Sequence, residues 1–296
     1  MNDPLYRSFS AIVFILISYG IVFLVGNSFE NIDQSNSFIF MSWKIIFLIQ
    51  LIAFIPSFIF KTDHYFDLTG GITFILIISL ATNKIILNES LNYKVVPFFL
   101  VFLWAIRLSS FLFLRVKKVG KDIRFDNLKT NFWKFMLSWV VQGFWVFMSL
   151  LPLLIVVDSS KSTNIIFLVI GLLVWLFGFL FEIISDNQKS KFNSIENNKG
   201  NFISTGLWSL SRHPNYFGEF ILWTGITIIS TPFLSGIQFI AFLSPPFIYL
   251  LLSKISGVNL LEEIADERWG FEKRYLDYKK QTPVFFPKFS KLWIKK

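Results

Sequence analysis

Between Ser211 and Phe220 the chain reads SRHPNYFGEF, which places a guanidinium, an imidazole, an amide, a phenol and a carboxylate side by side. The apolar run ILWTGITIIS follows at once. Pro214 suits the first turn of a helix, where its missing N–H costs nothing. A helix starting there aims free amide donors and the positive end of its dipole outward, beside Arg212 and His213. A phosphate or carboxylate fits that setting. Asn215 and Glu219 are four residues apart and share a helix face. With Tyr216 they could hold an adenine, a ribose or a nicotinamide. The plainer alternative is an interfacial anchor in which Tyr216 and Trp223 belong to an aromatic belt. That alternative explains the aromatics but not a glutamate in the first turns of a membrane helix.

Other costly polar residues extend this set. Arg107 lies within FFLVFLWAIRLSSFLFLR and needs an anionic partner, a water-filled cavity or a bound anion. An Arg–Asp pair that fixes helix packing is its structural alternative. Asp67, in TDHYFDLTGG, either caps the next helix or, if desolvated in a lipid-filled cavity, becomes a usable proton donor. Glu182 and Asp186 share a helix face, with Lys189 close to it; a solvated helix end suits Asp186 better than the deeper Glu182. The tail NLLEEIADERWGFEKRYLDYKKQTPVFFP is amphipathic and aromatic, with Tyr275 and Tyr278 three residues apart. It reads as one or two helices on the membrane surface, either an anchor or the lid of a cofactor pocket.

The elements that must position these residues are membrane helices. Hydrophobic residues make up 54% of the chain and charged residues 16%, and the mean hydropathy is +0.58. Apolar runs of about 17–25 residues recur, each long enough to cross a ~30 Å hydrocarbon core. The predicted fold is therefore all-α, a polytopic transmembrane bundle of seven to eight spans. A soluble protein with long core helices would need charged helix faces that the sequence does not supply. The windows are 9–27, 37–60, 70–88, 94–115, 133–157, 164–185, 218–232 and 236–255. The seventh is short, ends at Pro232, and pairs with the eighth as a hairpin or is partly re-entrant. The longest polar insert, 186–206, is too short to fold alone. A single domain over 1–296 is expected: two N-terminal spans in 1–60, a core in 61–296, and a tail from 256.

Composition removes several function classes. There is no cysteine, which excludes disulfides, thiolate metal sites and cysteine nucleophiles. His64 and His213 are the two histidines, too few for a histidine-built metal centre, so no metal is expected. Arg7 precedes the first apolar run, but no small-residue cleavage site follows, so that run reads as a retained helix. Lysines and arginines gather in 116–132 (Lys117, Lys118, Lys121, Arg124, Lys129), in 186–217, and in the tail through Lys291, Lys295 and Lys296. The positive-inside rule then places both termini and the basic loops in the cytoplasm, and eight spans agree in parity. Topology accounts for most of the net charge of +9. No nucleic-acid partner is needed, and the basic face suits anionic lipid head groups or a phosphorylated cofactor.

Several stretches together carry a family resemblance. GLWSLSRHPNYFGEFILWTG (206–225) and LLEEIADERWGFEKRYLDYKKQTPVFFP (260–287) resemble the C-terminal half of steroid 5-alpha-reductase-like membrane proteins. WAIRLSSFLFLRVKKVGKDIRF (104–125), QGFWVFMSLLP (142–152), EIISDNQKSKF (182–192) and YFDLTGGITF (65–74) look like the bacterial branch of that group. The superfamily holds reductases that use NADPH to reduce a polarised carbon–carbon double bond, sterol C14 reductases among them. It also holds isoprenylcysteine carboxyl methyltransferases, which use S-adenosylmethionine. An RHPNY stretch and a tyrosine-rich tail occur in both kinds.

The reductase likeness implies a cofactor pocket containing Asn215, Ser185 and Asp186, with Arg115 and its neighbours contributing. It places the catalytic acid near Asp67, here aspartate instead of glutamate. The histidine-rich tail of the steroid enzymes is replaced by EIADERW at 263–269, and Glu262 or Glu263 looks more like the methyltransferase tail. The expectation is an NADPH-dependent reductase of an apolar, steroid-like or lipid enone, in the bacterial inner membrane with its cofactor site facing the cytoplasm. Asp67 and Arg107 would polarise the substrate. Arg115, Ser185, Asp186, Lys189, Arg212, His213, Asn215, Tyr216, Glu219, Tyr275 and Tyr278 would hold the cofactor. An S-adenosylmethionine-dependent methyltransferase and a non-catalytic lipid-binding membrane protein are the two rivals.

Overall fold

The computed structural model describes residues 4–30, 32–88, 93–119, 125, 128–255 and 257–292. Lys121, Arg124, Lys295 and Lys296, which weighed in the orientation, lie outside them. The long elements are α1 (Pro4–Gly26), α2 (Phe38–Ile59), α3 (Phe66–Asn88), α4 (Val96–Val119), α5 (Phe132–Asp158) and α6 (Ile165–Ser194). Shorter ones follow: α7 (Pro214–Ser230), α8 (Ser244–Leu250), α9 (Val258–Trp269) and α10 (Lys273–Gln281). No strand occurs among the described residues. Seven helical segments are long and apolar enough to cross a membrane, α1 to α6 and the run Gly236–Trp269; the chain is an integral membrane protein. The seventh predicted span, 218–232, is now α7, a 17-residue helix shorter than these. Gly236–Trp269 is broken where 236–255 was read as one span: a 3-10 stretch to Leu243, α8, and a π turn at Leu251–Ile255. Pro245 and Pro246 lack the N–H groups that a continuous α-helix would need there.

Two compact units result, Met1–Leu168 with Ile229–Ser244, and Val169–Ile228 with Pro245–Lys296. In the first, α5 is the central helix. Its sequence is apolar on all sides, as a helix surrounded by others requires, and it is buried without a break from Val146 to Val157. Asn131 caps it, accepting from Lys134 N at 3.1 Å. Gly143 lets α2 close in, since a Cβ there would lie 3.2 Å from Gln50 and Phe47. At its far end Asp158 accepts from the backbone N–H of Phe38 (2.5 Å) and from Lys84 Nζ (2.6 Å). Ser37, at the N-cap of α2, makes no side-chain cap of its own. Asp158 therefore supplies the carboxylate that the start of α2 favours.

The second unit rests on one very close helix pair. A Cβ on Gly178 would sit 2.4 Å from Leu222 N, one on Gly218 2.6 Å from Glu182 N, and one on Gly225 2.6 Å from Trp175 N. These are backbone atoms, so only glycine permits the approach. The contacts run in opposite chain directions, which makes α6 and α7 antiparallel. With 30 residues, α6 is about 45 Å long, and its last turns carry the polar DNQKSKFNS past the apolar section. The pairing sets Glu182, Ser185 and Asp186 beside the first turns of α7.

Candidate functional site

Pro214 opens α7 as its ring predisposes it to do. The residues before it are held by the C-terminal segment after α10. Arg212 N donates to Pro283 O (2.9 Å), His213 N to Val284 O (3.1 Å), and Lys288 N to Leu210 O (2.9 Å). The buried Ser211 hydroxyl adds a bond to Phe285 O at 2.9 Å. This strap fixes Arg212 and His213 by their backbone, leaving their side chains for other work.

Those side chains meet an anion, and it is the chain's own. Glu262, on α9, places Oε1 2.8 Å from His213 Nε2 and Oε2 2.8 Å from Arg212 Nη1. Lys279 Nζ is 3.8 Å from the same Oε2 and bonds Asp266 at 2.6 and 2.8 Å. Burial lowers the His213 pKa from its ordinary value of 6.5, outweighing the Glu262 carboxylate that favours the charged ring. The ring is therefore neutral at neutral pH, with Nε2–H donating to Glu262. Tyr216 stacks on it at 5.6 Å with the planes 9° apart. Arg212 is only 11% exposed in its side chain, its Nε proton meets no acceptor, and its Nη1 pairs with Glu262 as a charge contact outside hydrogen-bond alignment. One buried donor, Nε, is thus available to a ligand.

A cavity of about 460 Å³ opens against this cluster, within the range of small-molecule sites. Four cations border it, Lys189, Lys199, Arg212 and Arg268, against one carboxylate, Glu262. Aromatic rings make up much of the rest: Phe202, Trp208, Trp269, Tyr275 and Tyr278. Phe202 and Tyr278 stack at 5.5 Å, and Lys189 Nζ lies 4.6 Å from the Trp208 ring centre. The Tyr278 hydroxyl donates to Trp208 O (2.6 Å), the Trp208 indole to Ser185 O (3.0 Å), and the Tyr275 hydroxyl to Asp266 (3.0 Å). Burial raises the pKa of both tyrosines, and for Tyr275 the Asp266 carboxylate adds to it, so both remain neutral donors.

Of the residues singled out in the sequence, Lys189, Arg212, His213, Tyr275 and Tyr278 border this cavity. Ser185 lies beneath it, holding Trp208 through its carbonyl. Asp186 and Glu219 are buried on α6 and α7, 5% and 7% exposed, and with half-buried Asn215 and Tyr216 they are not wall residues. Asp67 in the first turn of α3, Arg107 over the Phe111 ring (5.2 Å), and exposed Arg115 belong to the first unit. Phe202, Lys199, Trp208, Arg268 and Trp269 were not anticipated as wall residues. Trp208 sits within the quoted GLWSL stretch, and its closeness to the RHP residues was the available signal. Among the described residues no group of three or more His, Cys, Asp or Glu side chains gathers as a metal site.

The family described as "Protein of unknown function (DUF1295)" matches residues 53–282, and the chain belongs to it. No curated protein and no solved structure matches the chain.

Proposed function

We propose that the protein is a membrane-embedded, NADPH-dependent reductase of a carbon–carbon double bond in an apolar, lipid- or steroid-like enone. The observation that carries this reading is the excess of cations over carboxylates around an aromatic-walled cavity. A phosphorylated dinucleotide offers both the negative charge and the flat rings that such walls favour. The likeness of 206–225 and 260–287 to steroid 5-alpha-reductase-like proteins supports it as well. The donors fit the group: Arg212 Nε is buried without an acceptor, and Lys189, Lys199 and Arg268 border the same cavity, Lys199 already paired with Glu196 at 2.5 Å. When bound, the cofactor would supply a hydride.

The chain's own residues would do the rest. Arg212, Lys199 and Arg268 would bind phosphate oxygens, while Phe202, Trp208 and Trp269 stack on rings and exclude water. The strap would keep Arg212 oriented, and Glu262 would accept from hydroxyl groups. Asp67 is the candidate to polarise the substrate carbonyl, helped by Arg107. The cavity would face the cytoplasm, where the basic loops are expected.

A second reading, methyl transfer from S-adenosylmethionine, is favoured by one feature, the Glu262 carboxylate on the wall, which suits a cationic ligand. Thermal-shift and calorimetric titration of the purified protein with each compound separates the readings. NADPH is expected to raise Tm, and Arg268→Gln to weaken its binding about tenfold, the worth of one charge-assisted contact. Stabilisation by S-adenosylmethionine alone would overturn the reductase. No response to either would leave the non-catalytic lipid-binding protein.

A further inference from the structure

On the strap side of Arg212 lies a second, open groove of about 560 Å³. Its walls carry four cations, Arg212, Lys279, Lys280 and Lys288, and no carboxylate. Asp266 and Glu262 hold Lys279. Lys280 and Lys288 are exposed and carry no acidic partner among the described residues. Positive charge is thus concentrated where the fold leaves it unanswered.

The groove also has an apolar rim. Phe286 is 53% exposed, yet it touches Phe217 (6.2 Å) and Phe220 (6.1 Å) on the first turns of α7 and stacks on Tyr249 (5.6 Å). Phe289, 40% exposed, meets Phe181 of α6 at 6.2 Å and Phe217 at 6.4 Å. Lys288 lies between these two aromatics in the chain. The strap therefore sets exposed rings and unpaired lysines at the level where two apolar helices give way to polar chain. Aromatic rings and snorkelling lysines occupy the membrane–water interface for the same physical reason: an apolar body with a polar or charged tip.

We propose that this groove binds the phosphate of an anionic lipid headgroup, with Lys280 and Lys288 as the charge contacts and Phe286 set among the acyl chains. Charge complementarity selects the occupant, because a zwitterionic headgroup brings its own cation against Lys280 and Lys288, the two that the fold leaves unanswered. The proposal is independent of the cofactor reading: neither Lys280 nor Lys288 borders the aromatic cavity.

Native mass spectrometry on the full-length protein, offered phosphatidylglycerol and phosphatidylcholine in competition, tests it. The wild type is expected to retain phosphatidylglycerol selectively. Lys280→Gln with Lys288→Gln should reduce that preference about twenty-five-fold, from about fivefold for each interfacial lysine. Lys280→Arg with Lys288→Arg should keep the preference, which separates charge loss from misfolding. Equal retention of the two lipids by the wild type overturns the proposal, as does an unchanged preference in the glutamine pair. Stabilisation by millimolar inorganic phosphate without lipid selectivity would make the groove a free-anion site and overturn it too. NADPH binding read on the same variants should not change; a loss there with lipid preference intact would assign the lysines to the cofactor instead.

Discussion

Asp158 and Glu262 are both carboxylates that gather donors from separate elements, one in each unit. The side chain of Asp158 has no exposed surface, and each of its oxygens is taken, by Lys84 and by the N–H of Phe38. Glu262 is 19% exposed. It holds His213 and Arg212 on the wall of a cavity and leaves Arg212 Nε without an acceptor. The pairing is similar, and the surroundings differ. A carboxylate whose donors are all used ties elements together. A carboxylate with surplus donors beside a void leaves something for a ligand. Ion pairing by itself therefore does not mark a functional residue in this chain.

The largest effect should come from the closed pair. Asp158→Ala removes the cap of α2 and leaves Lys84, whose side chain is 33% exposed, without its partner, a loss of about 2–4 kcal/mol from the cap and one charge-assisted bond. Thermal unfolding in detergent should show it as a sharp drop in Tm. A loss under about 1 kcal/mol would remove the contrast with Glu262, since surface pairs are worth that little.

Glu262→Gln should cost less, about 1–3 kcal/mol, because glutamine still accepts one hydrogen bond and the site already touches solvent. Its value lies in the ligand response. Removing the one wall carboxylate should leave NADPH affinity unchanged or improved, since Arg212 is then free to take a phosphate. A cationic ligand such as S-adenosylmethionine should bind more weakly. The sign of the change, read by calorimetry, thus distinguishes an anion site from a cation site.

The first unit was the more legible of the two in the sequence. The window 37–60 became Phe38–Ile59 and 133–157 became Phe132–Asp158, because membrane helices must satisfy their backbone internally and so follow hydropathy closely. Hydropathy misses what backbone hydrogen bonding continues past it: α6 runs nine residues beyond the predicted 185, to Ser194. The start of α7 at Pro214 and the two tail helices were also readable, the first from proline's missing N–H and the second from amphipathic spacing. Arg212, His213 and Lys189 could be found by their cost near the membrane. Their partner could not, because Glu262 is 49 residues from His213 and no local pattern encodes that contact. Phe202 and Trp269 were hidden for another reason: an aromatic in an amphipathic segment looks the same whether it anchors to lipid or walls a cavity.

The smallest effect, and the most specific to the open pair, concerns pH. Burial holds the His213 pKa below 6.5 in the folded protein, while the unfolded chain titrates near that value. Between the two, the unfolded state binds more protons, so stability rises with pH across the window. The contribution is complete above about pH 6.5 and is lost as pH falls towards the folded pKa. Tm should therefore decline from pH 7.5 to pH 5.5, and His213→Gln should flatten that decline. Glu262→Gln sharpens the test. Without the carboxylate, the ring loses the partner that raised its pKa, so burial acts alone and the decline should steepen. A flatter profile in Glu262→Gln than in the wild type would mean that Glu262, and not His213, takes up the proton, and the neutral imidazole at the cavity wall would have to be abandoned.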